Sequence, residues 1–232
     1  MSATLYFTRE HLRAPLTLVL LVALPIVFVV LAASVLGEFA DVLGGSLLAD
    51  AASALGAGWS AAFIAGSLGF FQAASSRGAD RRLALFGLGV GRVALARIGA
   101  SLILAVVAGA AAFVALAANT GIAHPWHAAA AILGFAIIYL GVGTIVGALI
   151  PSPLEGSLTV AFIFILDVFS GPGMTEGDGS PVSVSRSAAD VLINAAVGDG
   201  SPAADWAELG FWTVGAVALA FGVFVVSARS RL

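Results

Sequence analysis

The chain has 232 residues, of which 60% are hydrophobic and only 10% are charged, and its formal net charge is −3. An ordinary soluble domain carries about 25% charged residues, so this composition excludes a water-soluble globular protein and indicates a protein of the lipid bilayer. The chain has no cysteine, which excludes disulfides and thiolate metal sites.

Long apolar runs divide the chain into about six predicted transmembrane helices. Five runs of at least 20 residues contain no Asp, Glu, Lys or Arg, and each can cross a hydrocarbon layer of about 30 Å as a helix. A sixth run is interrupted by Glu155 and Asp167 but is still apolar. We therefore predict an all-α, polytopic integral membrane protein with one transmembrane domain over residues 1–232. The predicted spans are residues 14–36, 56–76, 98–118, 129–150, 154–172 and 209–228, and residues 173–208 form an outer segment.

The arginines predict the orientation of these spans. If residue 1 lies in the cytoplasm, nine of the ten arginines fall on the cytoplasmic side and only Arg186 lies outside, as the positive-inside rule requires. The four tryptophans, Trp59, Trp126, Trp206 and Trp212, fall near the outer ends of predicted spans, where their amphipathic rings favour the headgroup level. We predict a multi-pass protein of the cytoplasmic membrane with both termini in the cytoplasm.

Two segments between the predicted spans are long enough to form structure of their own. In the cytoplasmic segment, charged residues 77–82 precede an apolar run, which predicts a short helix on the inner membrane face. In the outer segment, the string GDGSP occurs twice. Because Asp-Gly and Ser-Pro pairs form turns, these strings predict a short helix between them, at residues 187–197.

Asp167 is the only carboxylate set deep in an apolar run. A charge in hydrocarbon costs about 3 kcal/mol, so we expect this side chain to face protein, water or the outer headgroups. Two interpretations stay open. Asp167 either lines a translocation path, or it touches water at the outer mouth of a short fifth helix.

Small residues in the fourth predicted span favour a close helix contact. Gly143 and Gly147 have the four-residue spacing that lets two helix backbones approach, and Gly134 and Gly141 lie on the preceding turns. The pattern fits packing within the chain and packing between two copies equally well.

Motifs for enzymatic chemistry are incomplete. A phosphate-binding P-loop needs lysine, which the chain does not contain. Residues 89–94 fit a relaxed dinucleotide fingerprint but lack the preceding strand and the following acidic residue. His124 and His127 have no third metal ligand within reach along the sequence. We therefore predict no catalytic residue, no bound metal or cofactor and no nucleic-acid partner for this chain.

The layout resembles that of type-2 ATP-binding-cassette permeases. Residues 9–15 run directly into a proline-containing first span and resemble the elbow helix of these permeases. Residues 77–92 resemble the region between their second and third spans, where a short coupling helix meets the ATPase. Six spans, a large outer segment before the sixth and a short basic tail also match, so the resemblance covers nearly the whole chain.

The resemblance implies an exporter of a hydrophobic or amphipathic compound. It implies a homodimer or heterodimer of permeases that works with a soluble ATPase, which binds the ATP and Mg. The implied elbow residues are Arg9, Glu10 and Arg13, and the implied coupling residues are Asp80, Arg81, Arg82, Leu83, Leu85 and Phe86. Two alternatives from other classes stay open: a secondary transporter or channel driven by an ion gradient, and a membrane scaffold that transports nothing.

Overall fold

The computed structural model describes residues 15–83, 90–150, 152–174, 183–198 and 200–229. Over these residues the chain forms seven α-helices and no β-strand, which confirms the all-α prediction. The helices are α1 (Pro15–Val42), α2 (Ala49–Leu83), α3 (Val90–Asn119), α4 (Pro125–Leu149), α5 (Pro153–Phe169), α6 (Arg186–Val197) and α7 (Ala203–Arg229).

Four of these helices are long and apolar enough to cross a membrane. The qualifying segments are Ala49–Ser75, Gly91–Asn119, Pro125–Leu149 and Ala203–Val226. A fifth exists if the two parts of α1, Ala23–Leu31 and Ser34–Val42, form one broken span with its 49° bend. The protein is therefore a membrane-embedded helical protein, and its described residues provide four or five candidate spans where the apolar runs predict six.

The predicted span at 154–172 is shorter in the structure. α5 has 17 residues, which gives a helix of about 26 Å, and a typical hydrocarbon layer is about 30 Å thick. Pro153 occupies the first turn of α5, where its missing N–H costs nothing. Beyond Phe169 the chain turns away, and Gly173 has the positive φ of 76° that glycine adopts readily. The residues after α5 contact the loop that follows α1, since a Cβ on Gly45 would lie 2.4 Å from the carbonyl oxygen of Gly173.

The loops gather at two ends of the bundle. At the first, which we call the loop end, lie residues 43–48, 120–124 and 200–202. There the N–H of His124 donates to the carbonyl of Ala195 at 3.0 Å. At the opposite end, which we call the arginine end, α2 and α4 finish and α3 and α5 begin. Arg92 and Arg97 lie in the first turns of α3 at this end.

α2 and α4 form the centre of the bundle and share its most extensive contact. Their backbones approach so closely that a Cβ added to Gly143 would lie 1.8 Å from the carbonyl oxygen of Gly66. A Cβ on Gly147 would lie 2.5 Å from the carbonyl oxygen of Phe70. The close contact predicted from Gly143 and Gly147 is thus made within one chain. α7 lies at the periphery, since 22% of its apolar segment is buried compared with 78% for α2.

Candidate functional site

Asp167 is the centre of the densest polar network in the described part of the bundle. Its carboxylate is 5% exposed and accepts hydrogen bonds from two sides. From α4, the hydroxyl of Tyr139 donates to Oδ2 at 2.8 Å. From the residues that lead into α6, the Ser183 hydroxyl and the Val184 N–H donate to Oδ1, both at 2.8 Å. Ser185 adds its hydroxyl to Oδ2 at 2.6 Å and its N–H to Oδ1 at 3.4 Å.

These five donors satisfy a group that is otherwise costly inside a membrane. An ionised carboxylate is an acceptor only and takes about four hydrogen bonds in its lone-pair directions. Its burial is tolerated only when it is paired or hydrogen-bonded. The donors to Asp167 therefore explain how a carboxylate is accommodated in the apolar run of α5.

The carboxylate lies deep in the bundle. Its partner Tyr139 is about 21 Å along α4 from the loop end, and α4 is about 37 Å long. Helical side chains lean towards the helix N-terminus, which places the hydroxyl of Tyr139 in the middle third of α4. Asp167 is thus covered by the described part of the chain, and its role in a translocation path stays a prediction.

α6 is a half-length helix that runs beside α4 from this depth to the loop end. Its first residues follow Ser185 at the carboxylate, and Ala195 near its other end accepts the hydrogen bond from His124. Between these points, Leu192 packs where Gly58 of α2 meets Phe135 of α4. The predicted helix at 187–197 exists, and it is buried among α2, α4 and α7.

One face of α6 carries charges at the depth of Asp167. Arg186 and Asp190 are one turn apart, their side chains are 31% and 32% exposed, and Nε lies 3.7 Å from Oδ2. Charged side chains within a membrane-spanning region face a water-filled cavity or other protein, because lipid does not solvate them. Both side chains on this face of α6 are only partly covered by the described part of the chain.

Aromatic rings surround the carboxylate. Phe164, one turn before Asp167 on α5, makes edge-to-face contact with Tyr139 at 5.9 Å and also packs against Phe63 at 5.2 Å. The ring of Trp59 lies beside Gly171. Trp59 is only 2% exposed, and its indole N–H has no hydrogen-bond partner in the structure. The headgroup preference therefore does not explain Trp59, whereas Trp126 is largely exposed at the loop end.

A second polar cluster joins α2 to α3 near the arginine end. The Ser101 hydroxyl donates to Oε1 of Gln72 and lies 3.0 Å from the carbonyl oxygen of Arg97. All three residues are buried, and Nε2 of Gln72 has no hydrogen-bond partner in the structure. The sequence analysis did not single out these residues. The signal was present, since Gln72 interrupts an apolar run of α2 with an amide that needs a partner.

The predicted coupling residues lie partly within the described chain. The backbone of residues 80–83, which are Asp80, Arg81, Arg82 and Leu83, forms the last turn of α2. α2 thus continues without a break about 12 Å past its apolar segment. Leu85 and Phe86 lie outside the described residues, as do the elbow residues Arg9, Glu10 and Arg13. Their roles stay predictions.

His124 and His127 lie together at the loop end. Their ring centroids are 5.4 Å apart, and His127 stacks edge-to-face on Trp206 at 5.1 Å. Within the ranges that the structure describes, no group of three His, Cys, Asp or Glu side chains is placed to hold a metal ion. The pair joins the start of α4 to the start of α7.

The fold and composition define the class of the protein as an all-α, membrane-embedded protein. A scan against models of protein families gives no match, and a search of curated proteins finds no similar sequence. Function must therefore be argued from the geometry of the chain itself.

Proposed function

We propose that the chain is the membrane-spanning permease subunit of an ATP-binding-cassette exporter. It moves a hydrophobic or amphipathic substrate across the cytoplasmic membrane, with energy from ATP hydrolysed by a separate soluble subunit. The observation that carries this proposal is the half-length helix α6, whose Arg186 and Asp190 side chains are 31% and 32% exposed close to the buried Asp167 network. A translocation path requires a polar, water-accessible face inside the membrane.

The arginine end supports the ATP-driven part of the proposal. α2 extends past its apolar segment and carries Asp80, Arg81 and Arg82 in its last turn. A continuous helix is a rigid element, so a force applied to that turn would reach the α2–α4 contact at the centre of the bundle. The chain contains no lysine and hence no P-loop of its own, so the nucleotide is assigned to a partner subunit.

The position of the polar face supports a dimer of permeases, either homodimeric or heterodimeric. Arg186 and Asp190 lie on the outside of one chain, where a second permease would enclose them together with water. A path between two chains also agrees with the centre of the bundle, where α2 and α4 are in backbone contact at Gly66 and Gly143.

The test is purification of the tagged chain from its native membrane under mild detergent. The proposal predicts that a P-loop ATPase co-purifies and that its activity responds to substrate in proteoliposomes. A variant with Arg81 and Arg82 changed to alanine serves to locate the contact, and it should retain less ATPase than the wild type. Transport by the purified chain with no ATPase attached would refute the exporter.

A second candidate is a secondary transporter driven by an ion gradient. The Asp167 network favours it, because buried carboxylates mark ion pathways and proton relays in such transporters. The two candidates separate in proteoliposomes that contain only this chain. Uptake driven by an imposed proton or sodium gradient, without ATP, is expected of the secondary transporter and not of the exporter.

A further inference from the structure

The N-terminal end of α6 is fastened to the bundle through one carboxylate. Of the five donors to Asp167, four come from Ser183, Val184 and Ser185, and one comes from Tyr139. The first turn of a helix also carries a partial positive charge, which a carboxylate stabilises. This end of α6 therefore presents both a partial positive charge and hydroxyl donors to Asp167.

The rest of α6 meets the bundle through apolar contacts. Its buried face consists mainly of alanine, valine and leucine side chains, and Leu192 packs against the junction of Gly58 and Phe135. We call the surface beneath it the α6 groove, defined by Gly58, Phe135, Tyr139 and Asp167. The groove is about 18 Å long, the length of a 12-residue helix, and it is apolar except at its deep end.

We propose that the α6 groove is a binding site for a cationic amphipath, which α6 occupies in the resting protein. This inference rests on the proposed export function and names its substrate class. When α6 leaves, Asp167 keeps one of its five donors, and a buried charge without partners is strongly unfavourable. An ammonium group attached to an apolar chain replaces the lost donors and covers the apolar wall at the same time.

The surroundings of the carboxylate match a cation in a second way. Tyr139 reaches the carboxylate through its hydroxyl, and the ring of Phe164 lies against the ring of Tyr139. Aromatic faces attract ammonium groups, with the effect strengthened where water is excluded. An anionic amphipath of the same length would meet the same apolar wall but would be repelled by Asp167. The site therefore favours a cationic amphipath over an anionic one of the same length.

The other end of α6 is built to stay attached. Its C-terminal residue is followed by Gly198 with a φ of 101°, a conformation that glycine adopts without strain. A Cβ on Gly198 would lie 3.4 Å from the Cβ of Ala123, and Ala195 is hydrogen-bonded to His124. In the proposed exchange, the end of α6 at Asp167 leaves the groove while the end at Gly198 keeps its contacts with Ala123 and His124.

The test uses the absence of cysteine from the chain. Ala189, which is 1% exposed on the buried face of α6, is changed to cysteine, and its labelling by a hydrophilic maleimide is timed in lipid nanodiscs. Dodecylammonium, whose primary ammonium group has three N–H donors, should raise the labelling rate on the order of tenfold below its micelle concentration by replacing the charge-assisted hydrogen bonds. Dodecanoate, an anion of the same chain length, should leave the rate unchanged.

Three variants assign the effect to the carboxylate. Asp167→Asn should raise the basal labelling rate and abolish the response to the cation. Asp190→Asn, which removes a carboxylate from the exposed face of α6, should keep the wild-type response. Ser185→Ala weakens the resting contact but retains Asp167, so it should increase the response, and it serves if Asp167→Asn does not fold.

An equal response to both probes, or a response that survives in Asp167→Asn, would overturn the inference, and so would an unchanged response in Ser185→Ala. The labelling requires no ATPase, so it separates this inference from the exporter proposal. A complex that retains its ATPase but shows no charge-selective labelling contradicts the binding site alone. Charge-selective labelling in a chain that never binds an ATPase contradicts the exporter alone.

Discussion

The contact between α2 and α4 predicts a large difference between two chemically identical substitutions. Gly143→Ala places a Cβ 1.8 Å from the carbonyl oxygen of Gly66, about 1.4 Å closer than carbon and oxygen normally approach. The obstacle is backbone, which cannot rotate away, so α2 and α4 must separate. Overpacking of this kind costs about 1–3 kcal/mol or more, and we expect a loss at the upper end of that range.

Gly215→Ala is the matched control, because it is also a glycine-to-alanine change within a helix. A Cβ on Gly215 would meet no atom within 4 Å, and alanine is favoured over glycine in a helix by about 1 kcal/mol. Both variants are unfolded with dodecyl sulfate in mixed micelles, and the free energies of unfolding are compared. Gly143→Ala should be less stable than Gly215→Ala by about 3–4 kcal/mol. Equal stabilities would show that α2 and α4 do not meet at Gly143.

The remaining predictions concern the orientation, the polar face, the carboxylate and the coupling turn. In intact cells, an impermeant thiol reagent should label Asp178→Cys and not Gly78→Cys, and the reverse pattern would overturn the cytoplasmic assignment of the arginine end. In nanodiscs, a small hydrophilic thiol reagent should label Asp190→Cys. It should not label Val214→Cys, because Val214 is exposed on α7 towards lipid. Equal labelling of the two variants would refute a water-accessible face on α6. Tyr139→Phe keeps the ring and removes one hydrogen bond to Asp167, so the free energy of unfolding should fall by about 1 kcal/mol, and no change would show that the bond contributes nothing. Phe86→Ala should uncouple ATP hydrolysis from transport more than Arg81→Ala does, because buried apolar residues contribute more to a protein interface than charges at its rim. The opposite order in the purified complex would contradict an apolar docking contact with the ATPase.

The membrane helices were predictable from the sequence because lipid imposes a simple rule. An uncharged run of about 20 residues must be helical in hydrocarbon. The run at 98–118 lies within α3, and the run at 129–150 lies within α4 except for its last residue. Helix ends were less predictable. α2 begins seven residues before the predicted span and ends seven residues after it, because a helix can extend beyond its apolar segment.

The environment of Asp167 could be predicted only in part. The cost of a bare charge indicated that Asp167 must face protein, water or headgroups. The sequence did not show that Ser183 and Ser185 return to the carboxylate or that Tyr139 of α4 reaches it. Those facts depend on tertiary packing against Tyr139.

The unequal burial of the helices has a consequence for how the sequence can vary. On α7, only 22% of the apolar segment is buried, so the exposed Val214 and Leu219 are constrained only to remain compatible with their surroundings. Any aliphatic residue should serve there. On α2 the same exchange would alter a contact on every turn. In a saturation library, tolerance to substitution should therefore be lowest on α2 and highest on α7. Positions on α7 that do not tolerate substitution would mark a contact between this helix and another molecule.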